Sequence, residues 1–531
     1  MTPANVNAES VTDWQEQNLT QAHSFRLARS TDLTRRIAIA FSIYAALRIL
    51  VFAVAFPLFN NVDEKLHFMT IQMYAQGHLP GKELPHIDRE FVKAFLPYWS
   101  PEYDHSRDFI AKNIPVPLNQ LSAQEQQAAL EQGYFKWKLD IVPRRLNFEA
   151  QGAPMYYIIA GVWYDIGQML GIRDWRLAYW VRMINPFAYG FLVWLSYKYV
   201  SKIFPDRRFL QLAVPGLIAV FPQDVFFGMN RDVLPPVVWV AALLLMADAI
   251  TPESQRGRSL ILAAFLVGVA FLLEVSNSVL YAAMAATIWL WFRRSPARSI
   301  DKLKVVVSCA ASAVFPPLLW MLRNYLVIGD LTGSKEKMRN FGWTVKPVGE
   351  MLHHPIFTWR GLTFFVVKLT RSVWHGDYDW HAIQMRSPAM DWFYVISTLL
   401  LISVVVIELG RTRKTLPELE CWTLCQSLGL VFSSVLFILM ISMLFDYHNH
   451  GYPSRLHPFF VSGRIISGAL LPFALIYATG LEWVTTIVRR WIPPAAVLAC
   501  LLLAITATEI HVRSVAFPSP YNFFALSRWE R

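Results

Sequence analysis

Charge is what this chain is short of. Only 16% of its 531 residues are Asp, Glu, Lys or Arg, where a soluble globular protein carries about 25%. The deficit lies in long uncharged runs, and 55% of the chain is hydrophobic. That excludes an ordinary soluble domain and indicates a polytopic membrane protein. Cysteine is scarce as well. The four present, Cys309, Cys421, Cys425 and Cys500, all fall in apolar segments, which argues against a disulfide framework and a thiolate metal site. The chain lacks a Walker-type phosphate loop and a Gly-x-Gly-x-x-Gly turn, so nucleotide-fuelled chemistry has no visible apparatus. It also lacks a Gly-x-Ser-x-Gly elbow and a His-Glu-x-x-His zinc motif. His448-x-His450 reads as a solvated loop, and His375 and His381 flank an aromatic stretch without a metal-binding pattern. No internal repeat, low-complexity tract or separate soluble domain is evident.

What the chain does have is apolar runs of about 17–25 residues, long enough to cross hydrocarbon as helices. They fall at about 37–58, 178–199, 209–227, 233–250, 258–274, 277–292, 304–327, 390–409, 419–445, 464–487 and 493–513. Residues 153–171 are apolar enough to span but contain Asp165 and Gln168. The formal charge of +11 decides between the two topologies. With 153–171 flat at the interface, the short basic loops all land on one side: Lys198, Lys202, Arg207 and Arg208; Arg256 and Arg258; Arg293, Arg294 and Arg298; Arg411, Arg413 and Lys414; Arg489 and Arg490. That is the arrangement the positive-inside rule asks for, and it assigns the basic excess to topology rather than to nucleic acid.

The expected architecture is therefore an all-α polytopic membrane protein with about eleven spans and interfacial helices in its first long loop. Residues 1–36 form a cytoplasmic tail, with no cleavable signal ahead of the retained first span. Residues 37–513 form the membrane domain, with outer loops at 60–177, 328–389 and 446–463, and 514–531 form an outer C-terminal tail. Loop 60–177 is too long for a plain connector. Within it, Ser122-x-x-Glu125 reads as a capping box opening a helix.

Unusual polar residues gather at the outer ends of these spans. Asp63, Glu64 and His67 follow the first, and Arg182 and Asn185 lie early in the second. Asn230, Arg231 and Asp232 join the third and fourth, and Glu274 and Asn277 form the next outer turn. Arg323 and Asn324 close the seventh, and Arg464 opens the tenth. Singly, each has a plain reading: the arginines snorkel to headgroups, Asp232 caps a helix, and Asp63-Glu64 is a solvated loop. Together, carboxylates and arginines converging on one membrane face make a functional-site hypothesis.

At these residues the chain resembles the GT-C superfamily of membrane glycosyltransferases, and within it is most similar to the bacterial DUF2142-like group. The resemblance rests on Asp63-Glu64-x-x-His67, Gln151-Gly152-Ala153-Pro154-Met155-Tyr156-Tyr157, Arg182, and Asn230-Arg231-Asp232. It continues with Trp320-x-x-Arg323-Asn324, the Ser372–Trp380 aromatic stretch containing Trp374, and Ser462-Gly463-Arg464. Departures include Lys65 where proline is common, and Ser462 and Ile465 around Arg464 in place of Gln and Tyr. The resemblance implies a multi-pass protein of the bacterial inner membrane with a cytoplasmic N-terminus. It would move a sugar from a polyprenyl-phosphate donor to a hydroxyl of a glycan, lipid or protein acceptor, in cell-envelope glycan synthesis.

By that resemblance Asp63 is the candidate base, Glu64 its support and Asp232 the second acid. Arg323 and Arg464 would grip phosphate, and Arg182 would orient Asp63 or Asp232. His67, Tyr156, Asn324 and Trp374 would line the substrate site. No cofactor is expected, a divalent cation between the acids being the one alternative. The competing function classes are a transporter or lipid flippase, which would favour midplane sites and repeats, and a non-catalytic assembly factor, indifferent to loss of the carboxylates.

Overall fold

The structure is a computed structural model that describes residues 8–251, 257–448, 451–488 and 490–529, with side chains described throughout except at 8–31, 488 and 529. Arg256, His450 and Arg489 therefore lie outside the described residues.

α1 (Ala8–Ala55) opens the chain and extends helix well into the expected N-terminal tail. The first long loop holds α2 (Glu64–Ala75), α3 (Arg89–Phe95), α4 (Arg107–Asn113), α5 (Ala123–Leu130), α6 (Gly133–Ile141), α7 (Met155–Met169) and α8 (Asp174–Arg182). α9 (Ile184–Ile203), α10 (Arg208–Ala219), α11 (Pro235–Ile250), α12 (Gly257–Leu273), α13 (Leu280–Arg294) and α14 (Ser299–Val327) follow. The second long loop holds α15 (Lys335–Phe341), α16 (Val348–Met351) and α17 (Trp359–His375). Last come α18 (Pro388–Thr412), α19 (Glu418–Leu444), α20 (Leu470–Val488), α21 (Pro494–Arg513) and α22 (Phe523–Trp529). Two small antiparallel sheets pair β1 (Thr344–Val345) with β4 (Phe445–Asp446), and β2 (Asp379–Trp380) with β3 (Ile383–Gln384).

Among the described residues, eight helices are long and apolar enough to cross a membrane: Asp32–Ala55, Arg231–Ile250, Val275–Arg294, Ser299–Val327, Pro388–Thr412, Glu418–Leu444, Gly463–Ile487 and Pro494–Ala516. The protein is thus a largely helical, multi-pass membrane protein. α10 and α12 are shorter apolar helices, and α9 packs along α1. One extended hydrophobic core runs through α1, α9 to α13 and α18 to α21, and a second lies under the first loop, where α2, α7 and α8 pack together.

Two expected spans are drawn differently. The second is broken at Met183 into α8 and α9. The third stops at Ala219 instead of running on to 227. Pro222 explains the stop, since the residue before a proline is pushed out of the helical region and Pro lacks an N–H. Residues 153–171 contain the 15-residue α7 (Met155–Met169), about 22 Å long at 1.5 Å per residue and short of the ~30 Å hydrocarbon. One face of α7, with Tyr156, Tyr157, Ala160 and Tyr164, is buried, while Ile158, Ile159, Val162 and Ile166 are exposed. The capping box forms: Ser122 accepts from the Glu125 N–H, and the Glu125 carboxylate accepts from the Ser122 N–H at 2.8 Å. The C-terminal tail is docked, with Phe523 packed on Trp175 and Tyr179.

At the end of the helices away from the long loops, basic residues tie neighbours together. Lys202 pairs with Asp248, Arg207 with Glu420 and Glu482, and Arg294 with Glu418.

Candidate functional site

The site is built on a stretch of irregular backbone. Between α10 and α11, residues 220–234 run through two 3-10 turns, and all but Arg231 are buried. Non-helical backbone at membrane depth is tolerated only where protein satisfies its polar groups. Here buried charges do so. Arg48, ion-paired with Glu509 at 2.5 Å, donates to the carbonyls of Ala219 at 3.0 Å and Phe221 at 2.7 Å. Arg513 donates to Pro222 O at 3.2 Å and to His375 O at 2.6 Å. The Asn185 amide donates to Phe226 O at 2.9 Å and Gly228 O at 2.7 Å. Asp224 accepts from the Tyr378 N–H at 2.8 Å and pairs with Arg513 at 3.5 Å.

Glu64 and Arg182 belong to this scaffold. The guanidinium binds the carboxylate through two bonds of 2.6 Å, and both side chains are fully buried. Glu64 also accepts from the N–H groups of Phe59 at 2.8 Å and Met229 at 2.8 Å, and from Asn60 Nδ2 at 3.2 Å. Arg182 spends its remaining donors on the carbonyls of Ala53, Phe56 and Pro57. Neither has capacity left for substrate. Arg182 therefore holds Glu64, and not Asp63 or Asp232 as the sequence reading expects. The pair fixes the end of α1, the turn into α2 and the irregular segment as one piece.

That piece presents Asp63 and Asp232. Asp63 sits at the N-terminus of α2 with φ 62°, a left-handed conformation, and its side chain caps nothing. Burial raises its pKa, with Lys65 and Arg464 opposing. Asp232 is 4% exposed and does not cap α11; the Asn230 side chain takes the Asp232 N–H instead, at 2.9 Å. The Asp232 carboxylate lies 3.8 Å from the Arg464 guanidinium, and both Asp63 and Asp232 act electrostatically on Arg464. Asp232 thus pairs with Arg464, while Asp63, far away in sequence, lies within electrostatic reach of the same arginine. Arg464 donates to Ser462 Oγ at 3.3 Å, and its terminal nitrogens make no closer pairing than Asp232 among the described residues.

Arg464 is held by an interlock of the two C-terminal motifs. Ser372 Oγ accepts from the Gly463 N–H at 2.7 Å and donates to Asp377 at 2.8 Å, while Ser462 Oγ donates to the other Asp377 oxygen at 2.8 Å. A Cβ on Gly463 would sit 2.2 Å from the Val373 nitrogen, so only glycine allows this approach. Gly376, at φ +85°, faces Asp224 just as closely.

A second polar chain borders the acids, and it includes residues that sequence reading missed. Arg231 pairs with Glu274 and, at 3.3 Å, with Glu149. Glu149 also accepts from Lys337 at 2.6 Å and from the Tyr157 hydroxyl at 3.4 Å. Burial opposes ionisation of Glu149, but Arg231 and Lys337 hold its carboxyl well below the usual range. His67 Nδ1 lies 2.9 Å from Tyr157 Oη. Burial pushes the imidazole down to about 3, so it is neutral, and with Tyr157 donating to Glu149 the Nδ1–H tautomer faces Tyr157. Glu149 lies two residues before the Gln151–Tyr157 motif, a signal that sequence reading could have used. Lys337 lies in the second long loop and had no such marker.

The other sequence candidates stand apart. Arg323 donates to Pro80 O and Asn324 Oδ1 and lies 5.4 Å from the Trp320 ring; it pairs with none of the site's acids among the described residues. Asn324, fully buried, closes α14. Trp374 is a core residue: it stacks on Tyr394 at 4.4 Å and donates to Thr398 at 3.0 Å. Tyr156 is buried edge-on to His67 at 6.4 Å. Among the described residues, no three His, Cys, Asp or Glu side chains gather as a metal cluster.

An apolar cavity of about 240 Å³ opens between α17, α18, α19 and α20, walled by Phe365, Leu369, Leu399, Val431, Leu470 and Phe473. Gly463 and Ser467, which flank Arg464, also line it, and Ser467 Oγ donates to the Asp232 carbonyl at 2.8 Å. A greasy slot thus reaches the residues on either side of Arg464.

The chain matches the family described as Predicted membrane protein (DUF2142) over residues 47–448 and belongs to it. No curated protein and no solved structure matches it.

Proposed function

We propose that this DUF2142 member is an integral-membrane glycosyltransferase of GT-C type, moving a sugar from a polyprenyl phosphate to an acceptor hydroxyl. The observation that carries this reading is Arg464, paired with Asp232 at 3.8 Å and within electrostatic reach of Asp63, beside an apolar slot. An isoprenoid tail needs a groove among membrane helices, and its phosphate needs a cation with free donors at the groove's polar end. The charge asymmetry of the short loops supports a cytoplasmic N-terminus and a site on the outer face of a bacterial inner membrane.

In the proposed step the acceptor oxygen attacks the anomeric carbon and its proton passes to the Asp63 carboxylate. The bond from that carbon to the phosphate oxygen breaks, and the electron pair leaves with the phosphate, where Arg464 offsets the charge. One displacement inverts the anomeric centre. Raised by burial, Asp63 should give the rate an acid limb above the ordinary carboxylate pKa of about 4: activity falls as Asp63 protonates, and Asp63→Asn loses that limb. Arg464→Gln should cut transfer by at least about tenfold, since charge-assisted bonds to a leaving phosphate are among the strong ones. Val431→Trp, which fills the slot, should raise KM for the lipid donor and spare kcat.

A lipid flippase is the second reading, drawn from the irregular segment 220–234, because transporters use broken helices. Its site would lie near the midplane, whereas this one lies at helix ends. Purified protein given a labelled polyprenyl-phosphate sugar separates the two. The transferase releases sugar from the lipid onto an acceptor; a flippase moves the lipid intact.

A further inference from the structure

We infer that a second cleft, beside Asp63, is the acceptor subsite and that it takes an anionic acceptor, a glycan bearing phosphate or carboxylate groups. This deepens the transferase reading and rests on it. The cleft has a volume of about 530 Å³ and is lined by Asp63, Lys65, His86, Arg144, Arg145 and Asn340, among others. Every lining residue comes from the two long loops and none from a membrane-spanning helix. A ligand there enters from water, in contrast to the slot between α17 and α20.

The basic wall is fixed by backbone pairing. The Ile87 N–H donates to Arg145 O at 3.0 Å, the Asn147 N–H donates to Pro85 O at 2.7 Å, and His86 bridges Leu146. The Asn147 side chain then ties this pair of segments to α2, donating to Thr70 Oγ1 at 3.1 Å and Leu66 O at 3.3 Å. α2 starts just after Asp63, so Arg144, Arg145 and His86 are held in register with Asp63 and Lys65.

These cations are unspent. Lys65, Arg144 and Arg145 form no ion pair among the described residues, and Arg144, Arg145 and His86 are exposed. The Lys65 ammonium lies 5.4 Å from the Trp99 ring, whose centroid is 4.0 Å from Lys138. Buried Lys138 is pushed down to about 7, chiefly by desolvation, with Lys65 and Arg145 adding to the effect. Lys65 has Asp63 within electrostatic reach, but the exposed guanidiniums of Arg144 and Arg145 line the cleft without an ion pair among the described residues, and such unpaired cations favour an oxyanion. Two arginines supply the planar donors that phosphate and carboxylate accept. An acceptor seated here by its charges would bring its hydroxyl to the acid proposed as base.

The test compares the full-length protein in nanodiscs with its K65Q/R144Q/R145Q variant. Binding is measured by thermophoresis for a glycerol phosphate oligomer, an oligogalacturonate, neutral maltoheptaose and a polyprenyl phosphate. The wild type should bind one or both anionic oligomers well above maltoheptaose, the stronger of the two identifying phosphate or carboxylate as the source of the charge. The variant should lose about tenfold or more of that affinity and keep its hold on polyprenyl phosphate. Equal binding of neutral and anionic oligomers by the wild type would overturn the inference, as would an unchanged affinity in the variant. A wild type that prefers anions but never cleaves a sugar-lipid would remove the acceptor role together with the transferase reading.

Discussion

Asp63→Asn is expected to lower sugar transfer by about 10²–10⁴-fold, the usual worth of a positioned base, while the protein stays folded and inserted. Asp63 caps no helix with its side chain, and it is half-buried, within electrostatic reach of Lys65, Glu149, Lys337 and Arg464. Asparagine keeps the shape and, among ordinary residues, tolerates the left-handed backbone at φ 62° better than most. Loss of the carboxylate should therefore show in turnover and not in thermal stability. Asp232→Asn should behave differently. It removes the 3.8 Å partner of Arg464, so donor affinity should change along with rate.

Glu64→Gln is expected to do the opposite and to destabilise the protein by roughly 3–5 kcal/mol, the cost of leaving one member of a buried ion pair alone. Glutamine would turn an N–H₂ group toward a ring of donors from Phe59, Asn60, Arg182 and Met229, and the Arg182 charge would lose its counter-ion. Thermal unfolding of the purified variant measures the effect. The double variant Glu64→Leu with Arg182→Met removes both charges and should recover part of the loss, since buried pairs are often replaceable together. A Glu64→Gln protein as stable as wild type but inactive would instead return Glu64 to the chemistry.

These two neighbouring acids show how far the sequence could be read. The run Phe56 to His67 points to this region, and the charge of the short loops favours α7 lying flat. Nothing in the residues 63 and 64 themselves tells which acid is free. That depends on where Arg182 arrives, 118 positions later in the chain. The third expected span runs to 227 because most of residues 220–227 are apolar; Pro222, Gln223 and Asp224 are the contrary signals, and the irregular segment they permit is what presents Arg231 and Asp232. Arg323 had the composition of a phosphate ligand, but its helix delivers it to the Pro80 carbonyl. Glu149 and Lys337 were invisible because each is an ordinary loop residue until the loops pack. The Ser372–Trp380 stretch stands out by resemblance to an aromatic motif, but the Trp374 indole serves the core, and Ser372 and Asp377 make the connection to Ser462–Arg464.

The most direct measurement is a cryo-electron microscopy reconstruction of the protein in nanodiscs with a polyprenyl phosphate bound. Phosphate density on the Arg464 guanidinium, between Asp63 and Asp232, with the tail running into the slot between α17 and α20, is the predicted result. A lipid phosphate seated at Arg323 or elsewhere, with Arg464 still paired only to Asp232, would contradict the account.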